Sequence, residues 1–268
     1  MIILDGGLGR ELQAMGAPFR QPEWSALALM EGPDYVRAAH DAFLQAGADI
    51  VTTNSYAIVP FHIGADVFAA RASALLRLSG ELARAAADEA GRPVRVAGSV
   101  PPMFGSYQPE KFDRQLAADM MRLFRDQLAD YADLFLAETL GSVAEAELFL
   151  TEFLPVGRPV WLSVTLEDVD VTAGEPRLRS GEPLGDLLAA AGVELLDLER
   201  AVLDARGERA VERVCLVDHL ERLVHLQQTV LDTLGNGDFA FAGKQLHRAH
   251  LAHVHAHRVG RPPDFGLY

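Results

Sequence analysis

"LFLAETLGSVAEA", residues 134–146, holds the reading of the fold in its opening positions. The apolar run Leu134 to Ala137 ends on a carboxylate, Glu138, and small, polar and helix-forming residues follow. A short apolar run bounded in this way marks a strand buried on both faces, as in a parallel sheet covered by helices. Runs of the same kind stand at 1–4 ("MIIL"), 49–53 ("DIVTT"), 94–98 ("VRVAG") and 160–166 ("VWLSVTL"). Between the first two, "PDYVRAAHDAFLQAG" (33–47) sets Tyr35, Val36, Ala39, Phe43 and Leu44 at helical spacing. Pro33 suits the first turn of that helix and Gly47 its end. Helical patterns also fill 65–90 and 111–130. Repeated βα units predict an α/β protein with a right-handed parallel sheet and helices outside, and over this length a (β/α)8 TIM-type barrel in preference to a doubly wound sheet.

The rhythm stops near residue 196. "VELL" (193–196) is a candidate sixth strand, but from Asp197 onward leucine, arginine and acidic residues recur at helical spacing with no further strand pattern. The sequence therefore divides into a barrel portion, 1–196, and a divergent, mostly helical tail rich in His and Arg, 197–268. A barrel without its last strands exposes sheet edges and an apolar interior. So abrupt a change reads as a frameshift or a fusion to unrelated sequence.

Composition narrows the function. Of 268 residues, 49% are hydrophobic and 23% charged, and no apolar run approaches the roughly 20 residues of a membrane span. The N-terminus reaches a Gly-rich turn at Gly6 without the basic and long apolar segments of a secretory signal, which predicts a cytoplasmic protein. With 24 Lys plus Arg against 38 Asp plus Glu the formal charge is -14, and that field opposes nucleic acid and anionic membrane surfaces as partners. Cys215 is the single cysteine, so an internal disulfide and any site built from two or more thiolates of this sequence are excluded.

In a βα barrel the reacting groups sit where strands end and the following loops begin. The first strand delivers Asp5, Gly6 and Gly7; the second Thr53, Asn54, Ser55 and Tyr56; the third Gly98, Ser99 and the loop "VPPMFGSYQPE" (100–110); the fourth Glu138 and Thr139. Glycines at 6 and 7 allow tight turns and close approach of a ligand to backbone N–H groups, while Asp5 and Glu138 offer charge to an ammonium. The set suits a small zwitterion such as an amino acid. Each member also has a structural alternative: Asp5-Gly6-Gly7 as a common turn, Glu138 in a salt bridge with an arginine, Asn54 as a cap, His62 as a loop histidine and Trp24 as packing.

Together, "LDGGLGRELQAMGAPFRQPEWSALAL" (4–29), "AGADIVTTNSYAIVPFHIG" (46–64), "VAGSVPPMFGSYQPE" (96–110), "LFLAETLGSVAEA" (134–146), and "WLSVTL" (161–166) with "LRSGEPL" (178–184) resemble consecutive blocks of the homocysteine S-methyltransferase family. The similarity covers about residues 1–190 and is greatest to the branch that takes S-methylmethionine or S-adenosylmethionine as methyl donor. It implies a (β/α)8 barrel and methyl transfer from a sulfonium to homocysteine, giving methionine. It also implies a substrate site with Asp5, Gly6, Gly7 and Glu138 at the homocysteine and Asn54 and Tyr56 close by. A zinc ion is expected with it, because a metal lowers the pKa of a substrate thiol from about 8.5 and makes the nucleophilic thiolate available. In the family three cysteines hold that metal, one in an Asn-Cys pair after the sixth strand and two in a Gly-Gly-Cys-Cys turn. Here "DLERAVLDAR" (197–206) follows "AGVELL", no Gly-Gly-Cys-Cys occurs, and Cys215 in "RVCLVDHL" matches neither motif. No catalytic or metal-binding role is therefore carried onto a residue of this chain. The alternative function is a catalytically inactive remnant, or an amino-acid-binding protein that keeps the pocket without the metal.

The tail has a metal-like pattern of its own. In "LHRAHLAHVHAH" (246–257), His247, His250 and His253 recur at helical spacing, and His253, His255 and His257 alternate as on a strand. Three neutral imidazoles leave more positive charge on zinc than three thiolates do. They would grip an incoming thiolate tightly and make it a poorer nucleophile. The expectation is a solvated His- and Arg-rich segment with adventitious metal affinity.

Overall fold

The structure is a computed structural model that describes residues 2–167 and 176–191. The chain-order elements are helices α1 (Leu8–Ala14), α2 (Ser25–Glu31) and α3 (Pro33–Gln45), strand β1 (Ile50–Thr52), helices α4 (Pro60–Ile63) and α5 (Ala65–Glu89), strand β2 (Arg95–Val100), helix α6 (Arg114–Leu128), strand β3 (Leu134–Leu140), helix α7 (Val143–Phe153), strand β4 (Val160–Val164) and helix α8 (Leu184–Ala190). The strands form one parallel sheet in the order β1-β2-β3-β4. Strand order that follows chain order, with helices between, is the βα progression of a barrel wall and lacks the order reversal of a doubly wound sheet. The predicted sixth strand at 193–196, the division at 196/197, the histidine cluster and Cys215 lie outside the described residues, as would barrel closure.

The expected first strand is reduced. Leu4 makes an isolated parallel bridge to Ile50, with Ile3 O accepting from the Asp49 and Ile50 amides and Asp5 N donating to Ile50 O (3.0 Å). Ile2 and Ile3 are exposed, so this segment lacks the second-face burial that sustains the other runs. The remaining four strands fall within two residues of the predicted positions at nearly every end, although β3 runs on to Leu140. Helices α3, α5 and α6 occupy the predicted stretches at 33–47, 65–90 and 111–130. Asp113 caps α6 by accepting from the amides of Gln115 and Leu116, both at 3.0 Å.

Alternation along the strands decides what reaches the site. Ile50, Ala97, Leu134 and Leu136 form one buried cluster with Leu4 and Trp161 against it, whereas Val51 and Val96 pack with Leu44, Ala83, Ala86 and Ala87 under the helices. Two residues beyond Ile50, Ala97 and Leu136 on the same face come Thr52, Ser99 and Glu138. The inward face is thus apolar low in the sheet and polar at the strand C-termini. On the outer face Phe135 of β3 meets Phe153 edge-on, with ring centroids 4.8 Å apart, and Phe153 stacks on Phe149 at 4.4 Å. All three are fully buried.

Helix α5 approaches the segment after α6 closely at Gly80, where a Cβ would stand 2.5 Å from Cδ2 of Tyr131. Gly80→Ala gains about 1 kcal/mol of helix propensity but must displace the ring, and overpacking of this kind costs about 1–3 kcal/mol. Net destabilisation of about 1 kcal/mol is expected in urea unfolding. A variant as stable as the wild type would show that Tyr131 swings aside freely. No helix among the described residues is long and apolar enough to cross a membrane.

Candidate active site

Asp5 and Glu138, the carboxylates singled out in the sequence, are brought to the same end of the sheet. Asp5 follows the Leu4 bridge, and Thr52 at the end of β1 donates to it twice, its amide to Oδ2 at 2.7 Å and its hydroxyl to Oδ1 at 2.6 Å. Burial nevertheless outweighs these hydrogen bonds and pushes the Asp5 carboxyl up to about 6 from an ordinary 3.8. Glu138 takes a 2.5 Å hydrogen bond from the Ser99 hydroxyl of β2. Desolvation drives its carboxyl up to about 7, and the nearby Asp5 charge adds to the rise. Among the described residues no cation pairs with Glu138. Its side chain is half-buried, densely surrounded by protein yet in partial contact with solvent.

Ser99 is itself held in place. Its amide donates to Thr53 Oγ1 (2.9 Å), and its carbonyl accepts from Ser55 Oγ (2.7 Å). With the Ser55 proton committed to that carbonyl, Thr53 must donate across the 2.8 Å contact to Ser55. The chain of hydroxyls fixes the Ser99 backbone and leaves its side-chain proton for Glu138.

Tyr56 lies in the same group. Its hydroxyl is 2.7 Å from Ser106 Oγ and also meets Thr139, while burial above all, helped by the charge of Glu138, pushes its phenol up to about 12. It stays a neutral hydrogen-bonding group. Thr139 has φ 63°, a left-handed conformation that a β-branched residue adopts only under constraint, where the β3–β4 register shifts between Ala137 and Leu140. Asn54 is buried and donates from Nδ2 to the Ser25 carbonyl (3.0 Å), which ties the β1 loop to the start of α2 without capping that helix.

Gly6 and Gly7 are exposed. A Cβ at Gly6 would stand 3.0 Å from Phe43, so the turn is packed there, whereas Gly7 precedes α1 with room around it. His62 lies in α4 and not in a loop as expected, and its Nδ1 is 2.9 Å from Pro22 O, which gives it a structural partner. Trp24 meets Phe19 edge-on at 5.8 Å but remains 40% exposed, so packing covers it only in part.

Thr52 and Ser106 were not singled out in the sequence. The parity that puts Ile50 inward also puts Thr52 inward, which was a usable signal. Ser106 carries no such signal, because it sits on a loop whose path is set by tertiary contact.

A parallel βα sheet whose strands follow chain order, with two poorly solvated carboxylates at one end of it, defines an α/β protein with the wall of a barrel-type fold. The model of the family described as homocysteine S-methyltransferase matches residues 2–198, and the chain belongs to that family. It is 34% identical over 209 residues to the homocysteine S-methyltransferase of Escherichia coli, covering 70% of this chain and 64% of that protein. It is 31% identical over 199 residues to the selenocysteine methyltransferase of Astragalus bisulcatus, covering 62% and 59%. The crystal structure of the Escherichia coli homocysteine methyltransferase MmuM in its metallated form superposes with a TM-score of 0.60 at 32% identity, over 71% of this chain and 70% of that one. The chain thus spans less than two thirds of the length of the curated relatives named here.

The zinc implied by the resemblance does not fit the donors that the sequence supplies. Three thiolates are needed and one cysteine is present. Among the described residues no three His, Cys, Asp or Glu side chains gather closely enough to hold a metal. Asp5 and Glu138 engage Thr52 and Ser99 instead.

Proposed function

We propose that this site binds homocysteine as a zwitterion, its ammonium held by Asp5 and Glu138 with Tyr56 beside them, as the substrate half of a thiol S-methyltransferase. The observation that carries the reading is the placement of Asp5 and Glu138 at one end of the sheet, with Thr52 and Ser99 as their hydrogen-bond donors. Burial raises both carboxyls, no cation among the described residues pairs with either, and an incoming ammonium supplies such a charge. The reaction proposed from the family is displacement at a sulfonium methyl, with S-methylmethionine or S-adenosylmethionine as donor. The homocysteine sulfur forms its bond to the methyl carbon as the carbon–sulfonium bond breaks. The donor leaves as a neutral thioether, the thiol proton is released, and methionine is the product. In the family zinc acidifies the thiol; the single cysteine of this sequence does not furnish the three thiolates that hold it.

The cysteine count favours a second reading, amino-acid binding without turnover. Calorimetry with homocysteine, with and without zinc, together with methionine formation from each sulfonium donor, separates the two. Without a metal–sulfur bond, affinity near millimolar is expected, equivalent to about -4 kcal/mol, and it should be unchanged by zinc. Methionine above the uncatalysed rate identifies the enzyme, and binding without methionine identifies the binding protein. No binding at about ten millimolar, where a millimolar site would be about 90% filled, would remove both.

A further inference from the structure

The loop after β2 and the loop after β4 meet at a contact that nothing in the proposed amino-acid site requires. Arg179 Cζ stands 5.8 Å from the centroid of the Tyr107 ring, over its face. Arg179 is anchored by its own amide, which donates to Thr165 O (2.9 Å) just beyond β4, so the guanidinium starts from the same C-terminal side of the sheet as Glu138. Tyr107 is 51% exposed and has φ 63°. Such a backbone is unfavourable for a non-glycine residue, and it persists where surrounding structure imposes it. Next to Tyr107 is Ser106, whose hydroxyl is 2.7 Å from Tyr56 OH, and Tyr56 borders Glu138 and Thr139. An exposed aromatic face that already receives a cation is therefore held one residue away from the polar wall of the pocket.

We infer that Tyr107 is the seat of the sulfonium group of the methyl donor, and that Arg179 occupies this seat until the donor displaces it. The inference rests on the proposed methyltransferase-type pocket and adds to it where the second substrate binds. An aromatic face attracts any cation through its quadrupole, and a sulfonium, weakly hydrated and unable to hydrogen-bond, loses less on leaving water than an ammonium does. Thiol and sulfonium must also lie side by side for in-line transfer, and Tyr107 is near enough to Tyr56 to act on its phenol, as Glu138 is. As the methyl leaves, the donor becomes a neutral thioether, the attraction to the ring disappears, and Arg179 returns. Product release is built into the same contact.

The test uses the full chain and S-methylmethionine, with 2-amino-5-methylhexanoic acid as its uncharged isostere. Wild type should bind the sulfonium about tenfold more tightly than the isostere, the factor that about 1.4 kcal/mol of cation–aromatic attraction gives. Tyr107→Leu should lose that preference and Tyr107→Phe should keep it. Arg179→Gln should tighten S-methylmethionine severalfold by vacating the ring. Homocysteine binding, measured on the same variants, should depend on Glu138 and be indifferent to residue 107. Equal affinity for sulfonium and isostere in the wild type, or an undiminished preference in Tyr107→Leu, would overturn the seat while leaving the pocket standing. If homocysteine itself fails to bind, the pocket reading falls and the seat falls with it.

Discussion

Glu138→Gln is expected to weaken homocysteine binding about 30-fold at neutral pH and to flatten most of its pH dependence. Removing a carboxylate that meets an ammonium forfeits a charge-assisted hydrogen bond, worth about 1.5–3 kcal/mol. The pH profile follows from the raised carboxyls. Below about pH 6 both Asp5 and Glu138 are largely protonated in the free protein and offer the ammonium little charge. As pH rises through about 6 and then about 7 they ionise, so affinity should climb between pH 5.5 and 7.5, and binding near pH 6.5 should release protons. Calorimetry in buffers of different ionisation enthalpy reads that release directly. In Glu138→Gln only the smaller step from Asp5 should remain.

The same groups act oppositely on the stability of the unliganded protein. A folded carboxyl raised above its unfolded value binds protons more tightly in the native state, so its stabilising contribution is complete below about pH 4 and is lost as pH rises through about 7. Glu138→Gln should therefore be more stable than wild type at pH 8, by on the order of 2 kcal/mol after allowance for the solvent contact of the side chain. A variant that binds worse and is less stable at pH 8 would contradict the assignment of Glu138 as a strained binding group.

The largest effect on folding is expected from Phe153→Ala. Phe153 touches Phe149 of its own helix and Phe135 of β3, and all three are fully buried. Truncating a buried phenylalanine costs about 3–5 kcal/mol, and the lost ring pairs add to the cavity. Because single domains are stable by only about 5–15 kcal/mol, much of the total is at stake. Phe135 is three residues from Glu138 on the same strand, so loosening α7 also frees the strand that presents the carboxylate. A large fall in the urea midpoint is expected, whereas Leu154→Ala, next in sequence and 44% exposed, should shift stability by under about 0.5 kcal/mol. Equal effects at the two positions would show that the aromatic cluster does not carry the packing of α7 on β3.

Strand positions, helix positions and the polar ends of the inward faces were set by local pattern, and a single sequence shows that pattern directly. The apolar run 134–137 has to be buried on both faces wherever it goes, and Glu138 two positions beyond Leu136 has to share its face. The count of one cysteine likewise settles, from composition alone, that this sequence does not supply a three-thiolate zinc site. "MIIL" shows the limit of such reading. Its composition is that of a strand, but with Ile2 and Ile3 exposed it keeps only the bridge at Leu4.

What only the tertiary structure decided is which groups surround the carboxylates. Thr52 is 47 residues from Asp5 and Ser99 is 39 from Glu138; the first pairing depends on the Leu4–Ile50 bridge and the second on the register of β2 and β3. The raised carboxyls, the choice of Asn54 for the Ser25 carbonyl, the left-handed turn at Thr139 and the meeting of Arg179 with Tyr107 depend likewise on loop closure and burial. Periodicity encodes which face a residue occupies, because burial repeats with the local geometry of strand and helix. It does not encode the partner met there, because hydrogen bonds and desolvation are fixed by contacts between segments far apart in sequence.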